Sequence, residues 1–185
     1  MKAIVLAGGK SSRMGQNKAE MLLGNKRMAD YATEVLYSIF GEVYISGEAY
    51  QSTLAKANIV DVVKEKGPAG GIYSALEFCK EDIFICSCDM PFISARLVQN
   101  ILRRSEKEKI NILKYKDKIY PTLGSYPFSV VKDLKKQIES GNFKMLDFLG
   151  RSNVNYIQFE EGLDDELLNI NIPASFETAK GILDK

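Results

Sequence analysis

The opening of the chain concentrates glycine, serine and positive charge in a way that suits an anionic ligand. Residues 6–18 read LAGGKSSRMGQNK, with three cations and no acidic residue. Gly8 and Gly9 would let backbone N–H groups turn toward an anion, and Arg13 and Lys18 would supply positive charge. The loop therefore favours a nucleoside triphosphate, and the alternative is a solvated surface turn.

The glycine spacing in this loop matches neither of the common phosphate motifs. No Ser or Thr follows Lys18, as the P-loop pattern requires, and the glycines are not arranged as in the dinucleotide fingerprint. The prediction of a phosphate site therefore depends on the chemistry of the loop and on the elements around it.

Two acidic residues stand near the ends of apolar runs. Asp89 follows FICSC in CDMPF (88–92), and Asp61 lies inside IVDVV (59–63). A carboxylate at a strand end is a hard oxygen ligand that suits Mg²⁺ beside substrate phosphates. The alternatives are a helix cap for Asp89 and a satisfied turn residue for Asp61.

The elements that must position these residues alternate between strand and helix. Short β-branched or aromatic runs predict strands at 2–7, 42–46, 59–63, 82–87 and 110–115, and apolar residues at three- and four-residue spacing predict helices over 28–39, 72–79 and 97–102. Further on, residues 118–127 indicate an extended strand pair or loop, 128–140 and 143–150 helices, 154–160 a strand, and 173–185 a last helix. This order predicts an α/β fold, a three-layer, doubly wound and mainly parallel sheet.

In such a sheet, ligands bind beyond the carboxyl ends of the strands. The opening loop, the EKGPAGG segment (65–71) and CDMPF all follow predicted strands. Because parallel strands end at the same edge, we expect these three segments to lie together.

Length and composition limit the classes of function. A chain of 185 residues fits a single domain, 1–185, and 25 basic against 24 acidic residues indicate neither a nucleic-acid nor a membrane partner. No segment is typical of a signal peptide or a membrane span, so we expect a cytoplasmic location. Three cysteines without any histidine predict buried structural thiols rather than a zinc site.

Four motifs in order make the sequence resemble a known family. LAGGKSSRMGQNK, VDVVKEKGPAGGIYSAL (60–76), CDMPF and LLNINIPASF (167–176) are similar to the motifs of the molybdenum cofactor guanylyltransferases, which have the nucleotide-diphospho-sugar transferase fold. Two positions depart from the family pattern: Ser46 stands where Asn is frequent, and Ala69 where Leu is usual.

The resemblance implies a role for each matching residue. It places nucleotide contacts at Leu6, Ala7, Gly8 and Gly9, and phosphate contacts at Lys18 and Arg13. It further implies a base or ribose contact from Asp61, with Ser46 beside it, Mg²⁺ binding by Asp89, and a position near the metal and phosphates for Asn171. The residues expected to carry catalysis are Arg13, Lys18 and Asp89.

The resemblance also implies an activity and its partners. It predicts Mg²⁺-dependent transfer of GMP from GTP to molybdenum-bearing molybdopterin, with release of pyrophosphate, and transient contacts with proteins that deliver and receive the cofactor. The alternatives are a cytidylyltransferase for the same cofactor, a sugar-phosphate nucleotidyltransferase of the same fold, and a nucleotide-binding sensor without turnover.

Overall fold

The computed structural model describes residues 1–8, 18–47, 52, 54–63 and 66–184. Within them, seven strands form the main sheet and two short strands form a separate hairpin. The strands are β1 Lys2–Leu6, β2 Leu22–Leu23, β3 Lys26–Arg27, β4 Val43–Ser46, β5 Ala57–Ile59, β6 Ile83–Ser87, β7 Ile110–Tyr115, β8 Lys118–Tyr126 and β9 Val154–Phe159.

The main sheet has the order β5-β4-β1-β6-β8-β7-β9. Each neighbouring pair is parallel except for the two pairs that contain β8, which is antiparallel to both β6 and β7. The prediction of a mainly parallel α/β sheet is therefore confirmed. Residues 118–126, for which the sequence indicates either a strand pair or a loop, form one long strand.

Helices cover both faces of the sheet, as the continuous apolar character of the strands requires. The helices are α1 Met28–Phe40, α2 Gly67–Cys79, α3 Ala95–Arg103, α4 Val131–Glu139, α5 Met145–Leu149 and α6 Pro173–Leu183. In β1, Ala3 and Val5 belong to the core cluster that includes α1 and α3, whereas Ile4 and Leu6 belong to the cluster that includes α2, α4 and α5. The period of two along the strand thus divides its side chains between two cores.

The predicted strand over 59–63 was wrong in position. The strand is β5, Ala57–Ile59, and the chain leaves the sheet directly after it. Val60 and Val62 are 60% and 70% exposed, and the Val62 N–H donates to Ser74 Oγ of α2 instead of a neighbouring strand. Asp61 consequently lies beyond the strand end, in the loop that enters the ligand edge of the sheet.

The predicted helices form, although their ends differ from the sequence pattern. The second begins at Gly67, five residues before the first periodic apolar position at Ile72, because GPAGG is itself helical. Pro68 stands in the first turn, where its missing N–H costs nothing. In the described part of the chain, no helix combines the length and the apolar character needed to span a bilayer.

Candidate active site

Backbone hydrogen bonds hold the ends of four strands together at one edge of the sheet. The Ala7 N–H donates to the Ser46 carbonyl (2.8 Å), the Cys88 N–H to the Leu6 carbonyl (3.0 Å) and the Gly47 N–H to Ile59 (3.1 Å). The segments that follow β1, β4, β5 and β6 are therefore neighbours. The sequence predicted this convergence from strand direction alone.

The opening loop is described only at its two ends. Leu6 is buried, Ala7 is half-buried and Gly8 is exposed at the edge of the sheet. Gly9 and Arg13 lie outside the described residues, so their expected contacts remain predictions. The described chain resumes at Lys18, the first residue of a short 3-10 helix, Lys18–Glu20.

Lys18 meets a residue from the far end of the chain. Its Nζ donates a 2.5 Å hydrogen bond to Asn171 Oδ1, across 153 positions of sequence. The segment that carries Asn171 is attached to the β6 loop, because the Ile170 N–H donates to the Asp89 carbonyl (2.9 Å). The structure thus brings Lys18, Asn171 and the Asp89 loop together, and their roles toward metal and phosphates stay predictions.

The Asn171 segment is held on both sides. Ser175 Oγ of α6 accepts from the Asn171 N–H at 3.1 Å, and the Ile170 side chain is fully buried with Leu23 and Met28. Leu23 belongs to β2, so the β2–β3 hairpin supports this side of the site. Packing of Ile170 therefore determines where the asparagine beside it can reach.

Sequence reasoning missed the β2–β3 hairpin, although the sequence contains a signal for it. Gly24 and Asn25 separate Leu22–Leu23 from Lys26–Arg27, and Gly24 has φ of +62°. A Gly-Asn pair between two short runs is typical of a two-residue hairpin turn. The Met21 N–H donates to the Lys18 carbonyl, so the short 3-10 helix that begins at Lys18 leads directly into the hairpin.

Asp61 and Ser46 form a second polar group at the same edge. Ser46 Oγ donates to Asp61 Oδ1 at 2.9 Å. Ser46 is 2% exposed, which leaves almost none of its surface for a ligand. In the structure the Ser46 hydroxyl is directed to Asp61, which is itself only half-buried, and a contact between Ser46 and a nucleotide stays a prediction.

Gly47 permits the close approach of β4 to β1, and sequence reasoning did not single it out. Its φ is +137°, and an added Cβ would lie 3.0 Å from the Gly8 nitrogen and 3.1 Å from the Ala7 carbonyl carbon. Glycine is required at position 47 because of its positive φ and because a Cβ there would crowd the backbone of the residues directly after β1. Gly47 thereby allows the end of β4, which is bonded to Ile59 just before Asp61, to lie against the start of the opening loop.

The cysteines near Asp89 are buried, as predicted. Burial raises the pKa of the Cys86 thiol well above its usual value. Burial also raises the pKa of Cys88 to about 12, with the negative charge of Asp89 raising it and the positive charge of Lys18 lowering it. Both thiols are therefore neutral at physiological pH and are poor nucleophiles and metal ligands.

We expect the three cysteines to differ in reactivity. Cys86 and Cys88 should not react with a thiol reagent at neutral pH in the native protein, whereas half-buried Cys79, whose pKa is also raised by burial, should react slowly. Thiol titration before and after denaturation measures this. Rapid reaction of two or more thiols in the native protein would contradict the burial described here.

Metal binding at this edge would depend on few protein ligands. Among the residues that the structure describes, no three Asp, Glu, Cys or His side chains come close enough to hold a metal ion. Asp89 offers a carboxylate, and Asn169 Oδ1, one residue before the Ile170 that is bonded to the Asp89 loop, is buried without a hydrogen-bond donor from the described residues. Oxygen donors of this kind fit Mg²⁺, which retains waters and binds substrate phosphates.

Comparison with known proteins decides the family. The sequence profile of the MobA-like NTP transferase domain matches residues 3–152. The chain belongs to the MobA-like NTP transferase family. The matched range includes Lys18, Asp61 and Asp89, and it ends before Asn171.

Individual relatives extend over nearly the whole chain. A protein of Carboxydothermus hydrogenoformans named probable molybdenum cofactor guanylyltransferase is 33% identical, covering 94% of this chain and 91% of that protein. A protein of the same name from Flavobacterium johnsoniae is 31% identical over 92% of each. The crystal structure of molybdopterin-guanine dinucleotide biosynthesis protein A from Archaeoglobus fulgidus superposes with a TM-score of 0.83 at 28% identity, covering 100% of this chain and 99% of that one.

These comparisons confirm the resemblance and the fold. They span the segment after residue 152, so α6 and the Asn171 segment belong to the shared architecture. The members of this family are nucleotidyltransferases by name, which makes the edge formed by β1, β4, β5 and β6 the candidate active site.

Proposed function

We propose that this chain, acting as a single nucleotidyltransferase domain, transfers GMP from GTP to molybdenum-bearing molybdopterin and releases pyrophosphate. The observation that carries the proposal is the convergence of Lys18, Asn171 and Asp89 at the end of β6. Relatives named molybdenum cofactor guanylyltransferase support the choice of substrates.

The nucleotide would bind across the ends of β1, β4 and β5. Backbone groups of Leu6, Ala7 and Gly8 would line one side, followed by Gly9 and the rest of the opening loop. Asp61 would accept a hydrogen bond from the base or the ribose. Its carboxylate is half-buried beside Gly8, where a ligand donor could reach it.

Lys18 and Arg13 would supply the positive charge that balances the nucleotide phosphates. Nucleotidyl transfer depends mostly on in-line positioning and on neutralising the charge that develops on the phosphates. The bond from Lys18 Nζ to Asn171 Oδ1 restricts the ammonium to one side of the site, so less freedom is lost when phosphate binds. When bound, Mg²⁺ would be held by Asp89 and would supply further neutralisation at the α-phosphate.

The proposed acceptor explains how the chain can work without histidine. A terminal phosphate has its second pKa near about 6, so it is mostly ionised at neutral pH and can attack without a general base. A hydroxyl acceptor would need a base more often. The proposal includes transient contacts with a cofactor-delivering and a cofactor-accepting protein, and a cytoplasmic site of action.

We expect GTP to be preferred over both CTP and ATP. Guanine offers two adjacent N–H donors, N1–H and the N2 amino group, that a carboxylate such as Asp61 can accept together, whereas adenine and cytosine each offer one amino group. Loss of one such contact would cost about 1 to 3 kcal/mol, roughly 5- to 150-fold in discrimination. Incubation with each nucleotide, Mg²⁺ and molybdopterin, with analysis of the pterin product and of pyrophosphate, measures kcat/KM for all three. Equal or better use of CTP would indicate a cytidylyltransferase, and binding without pyrophosphate release would indicate a sensor.

Gly8→Ala provides a variant for the same assay. The added methyl would lie 3.4 Å from Asp61 Oδ2, a distance that the fold tolerates but that crowds the nucleotide side of the carboxylate. We expect a loss of about five- to tenfold in kcat/KM for GTP. Gly181→Ala in α6 is the matched control, because its added methyl meets open space.

A further inference from the structure

Ser46 is a buried polar residue whose hydroxyl serves one partner at the ligand edge. It is the last residue of β4, between β1 and β5, and its backbone is paired in the sheet. Its Oγ donates to Asp61 Oδ1 at 2.9 Å. A rigid strand therefore presents a hydrogen-bond donor to a carboxylate that stands in a loop.

The two oxygens of Asp61 face different surroundings. Oδ1 lies on the inner side, where it accepts from Ser46 Oγ. It also lies near the first turns of α2, since a Cβ built on Gly71 would be 3.9 Å from it. Oδ2 lies on the Gly8 side, 3.4 Å from a Cβ built there. Gly8 is exposed, so Oδ2 is the oxygen closer to the side from which a nucleotide would approach.

Gly71 leaves the space that this arrangement needs. An added Cβ at position 71 would lie 3.1 Å from Ser46 Oγ and 3.3 Å from Leu6 Cδ2. Both neighbours are buried, so neither can move aside freely. The absence of a side chain at Gly71 thus leaves room for the Ser46 hydroxyl.

We propose that Ser46 is a positioning residue for nucleotide binding, which fixes the Asp61 carboxylate so that Oδ2 accepts from the N–H or O–H donors of the bound nucleotide. This inference rests on the proposed function in that it assigns the nucleotide to this edge. Ser46 does not touch the ligand and acts only through Asp61. The contribution of Asp61 to nucleotide affinity then depends on Ser46.

Loss of the Ser46 donor would widen the range over which the Asp61 carboxylate rotates about its terminal side-chain bond, whose preferences are broad. Ordering it again on binding would then reduce affinity, whereas the reacting phosphates would be unaffected. We expect Ser46→Ala to raise KM for the nucleotide about three- to tenfold and to change kcat less than about twofold. This division between KM and kcat distinguishes positioning for binding from participation in chemistry.

A double-mutant cycle tests the proposal. Ser46→Ala, Asp61→Ala and the double variant are compared by calorimetric measurement of Kd for the nucleotide. If Ser46 acts through Asp61, its loss in the Asp61→Ala background should change Kd by less than about 1.5-fold. Equal penalties in both backgrounds, or no penalty for Ser46→Ala in the native background, would overturn the proposal.

One further variant separates positioning from a general loss of structure. Ser125→Ala removes another buried hydroxyl, which accepts from Asn111 Nδ2 far from this edge, and should lower Tm without changing Kd. A Kd change for Ser125→Ala as large as that for Ser46→Ala would show that the effect is only structural and would overturn the proposal.

The cycle remains informative if the choice of GTP is wrong. It is run with whichever of GTP, CTP and ATP the unmodified protein binds most tightly, so preference for another nucleotide contradicts the proposed function but leaves the coupling measurable. Inosine triphosphate and 2′-deoxy-GTP are then compared. If the nucleotide donor that meets Oδ2 is the guanine amino group or the ribose 2′-hydroxyl, the penalty of Ser46→Ala should disappear with the analogue that lacks it.

Discussion

Replacing Asp89 by asparagine is expected to reduce turnover by at least about 100-fold while leaving the fold intact. The substitution keeps the size of the side chain and the backbone carbonyl that accepts from Ile170. It removes the negative charge that would hold Mg²⁺ against the substrate phosphates. Neutralisation of phosphate charge by the metal would lower the activation free energy by several kcal/mol. Pyrophosphate release and thermal melting, measured together across a Mg²⁺ titration, give both quantities.

The control for this variant is an aspartate of the same charge elsewhere. The Asp133 side chain of α4 is 71% exposed and pairs with Lys136 at the surface, so Asp133→Asn should leave both turnover and Tm nearly unchanged. Near-normal pyrophosphate release by Asp89→Asn at saturating Mg²⁺ would remove Asp89 from the metal site. A large fall in Tm would instead assign Asp89 a structural role.

Lys18→Ala is expected to weaken GTP binding and to slow the reaction. Loss of one charge-assisted phosphate contact should cost roughly 1.5 to 3 kcal/mol, which corresponds to about a 10- to 150-fold loss in kcat/KM. Asn171 would also lose its donor, so Asn171→Ala should share part of this effect and the two losses should not be additive. Kd for GTP and the rate of pyrophosphate release measure the two components.

Two lysines serve as controls for the effect of charge alone. Lys107 is exposed before β7, at the opposite edge of the sheet, and Lys107→Ala should change neither binding nor rate. Lys10 belongs to the opening loop but has no expected phosphate contact, and Lys10→Ala should have a much smaller effect than Lys18→Ala. Equal losses for Lys10→Ala and Lys18→Ala would show that the loop acts as diffuse positive charge.

Strands with a strong apolar character were predicted closely. The runs that became β1, β4, β6 and β7 lie in the interior of the sheet, where burial on both faces requires β-branched and aromatic residues. Helices α1 and α3 were predicted from periodicity for a similar reason, since each buries one face. In these elements the local pattern and the tertiary packing agree.

The prediction failed where the pattern and the packing disagree. IVDVV has the composition of a strand, yet β5 is the edge strand and the chain turns away after Ile59 toward Ser74 and α2. The β2–β3 hairpin was missed because its strands contain two residues each, too few for any periodicity. Edge strands and short hairpins receive their position from neighbours that are distant in sequence.

The sequence by itself determined the class of sheet, the edge at which a ligand is expected and the residue types available there, because strand direction and loop composition are local properties. Only the tertiary structure decided which of those residues meet. Lys18 and Asn171 are 153 positions apart, and their contact depends on the packing of Ile170 against Leu23 and Met28. Likewise, the Ser46 hydroxyl meets Asp61 at a position that the sheet and α2 bury, and burial depends on every element packed around a residue.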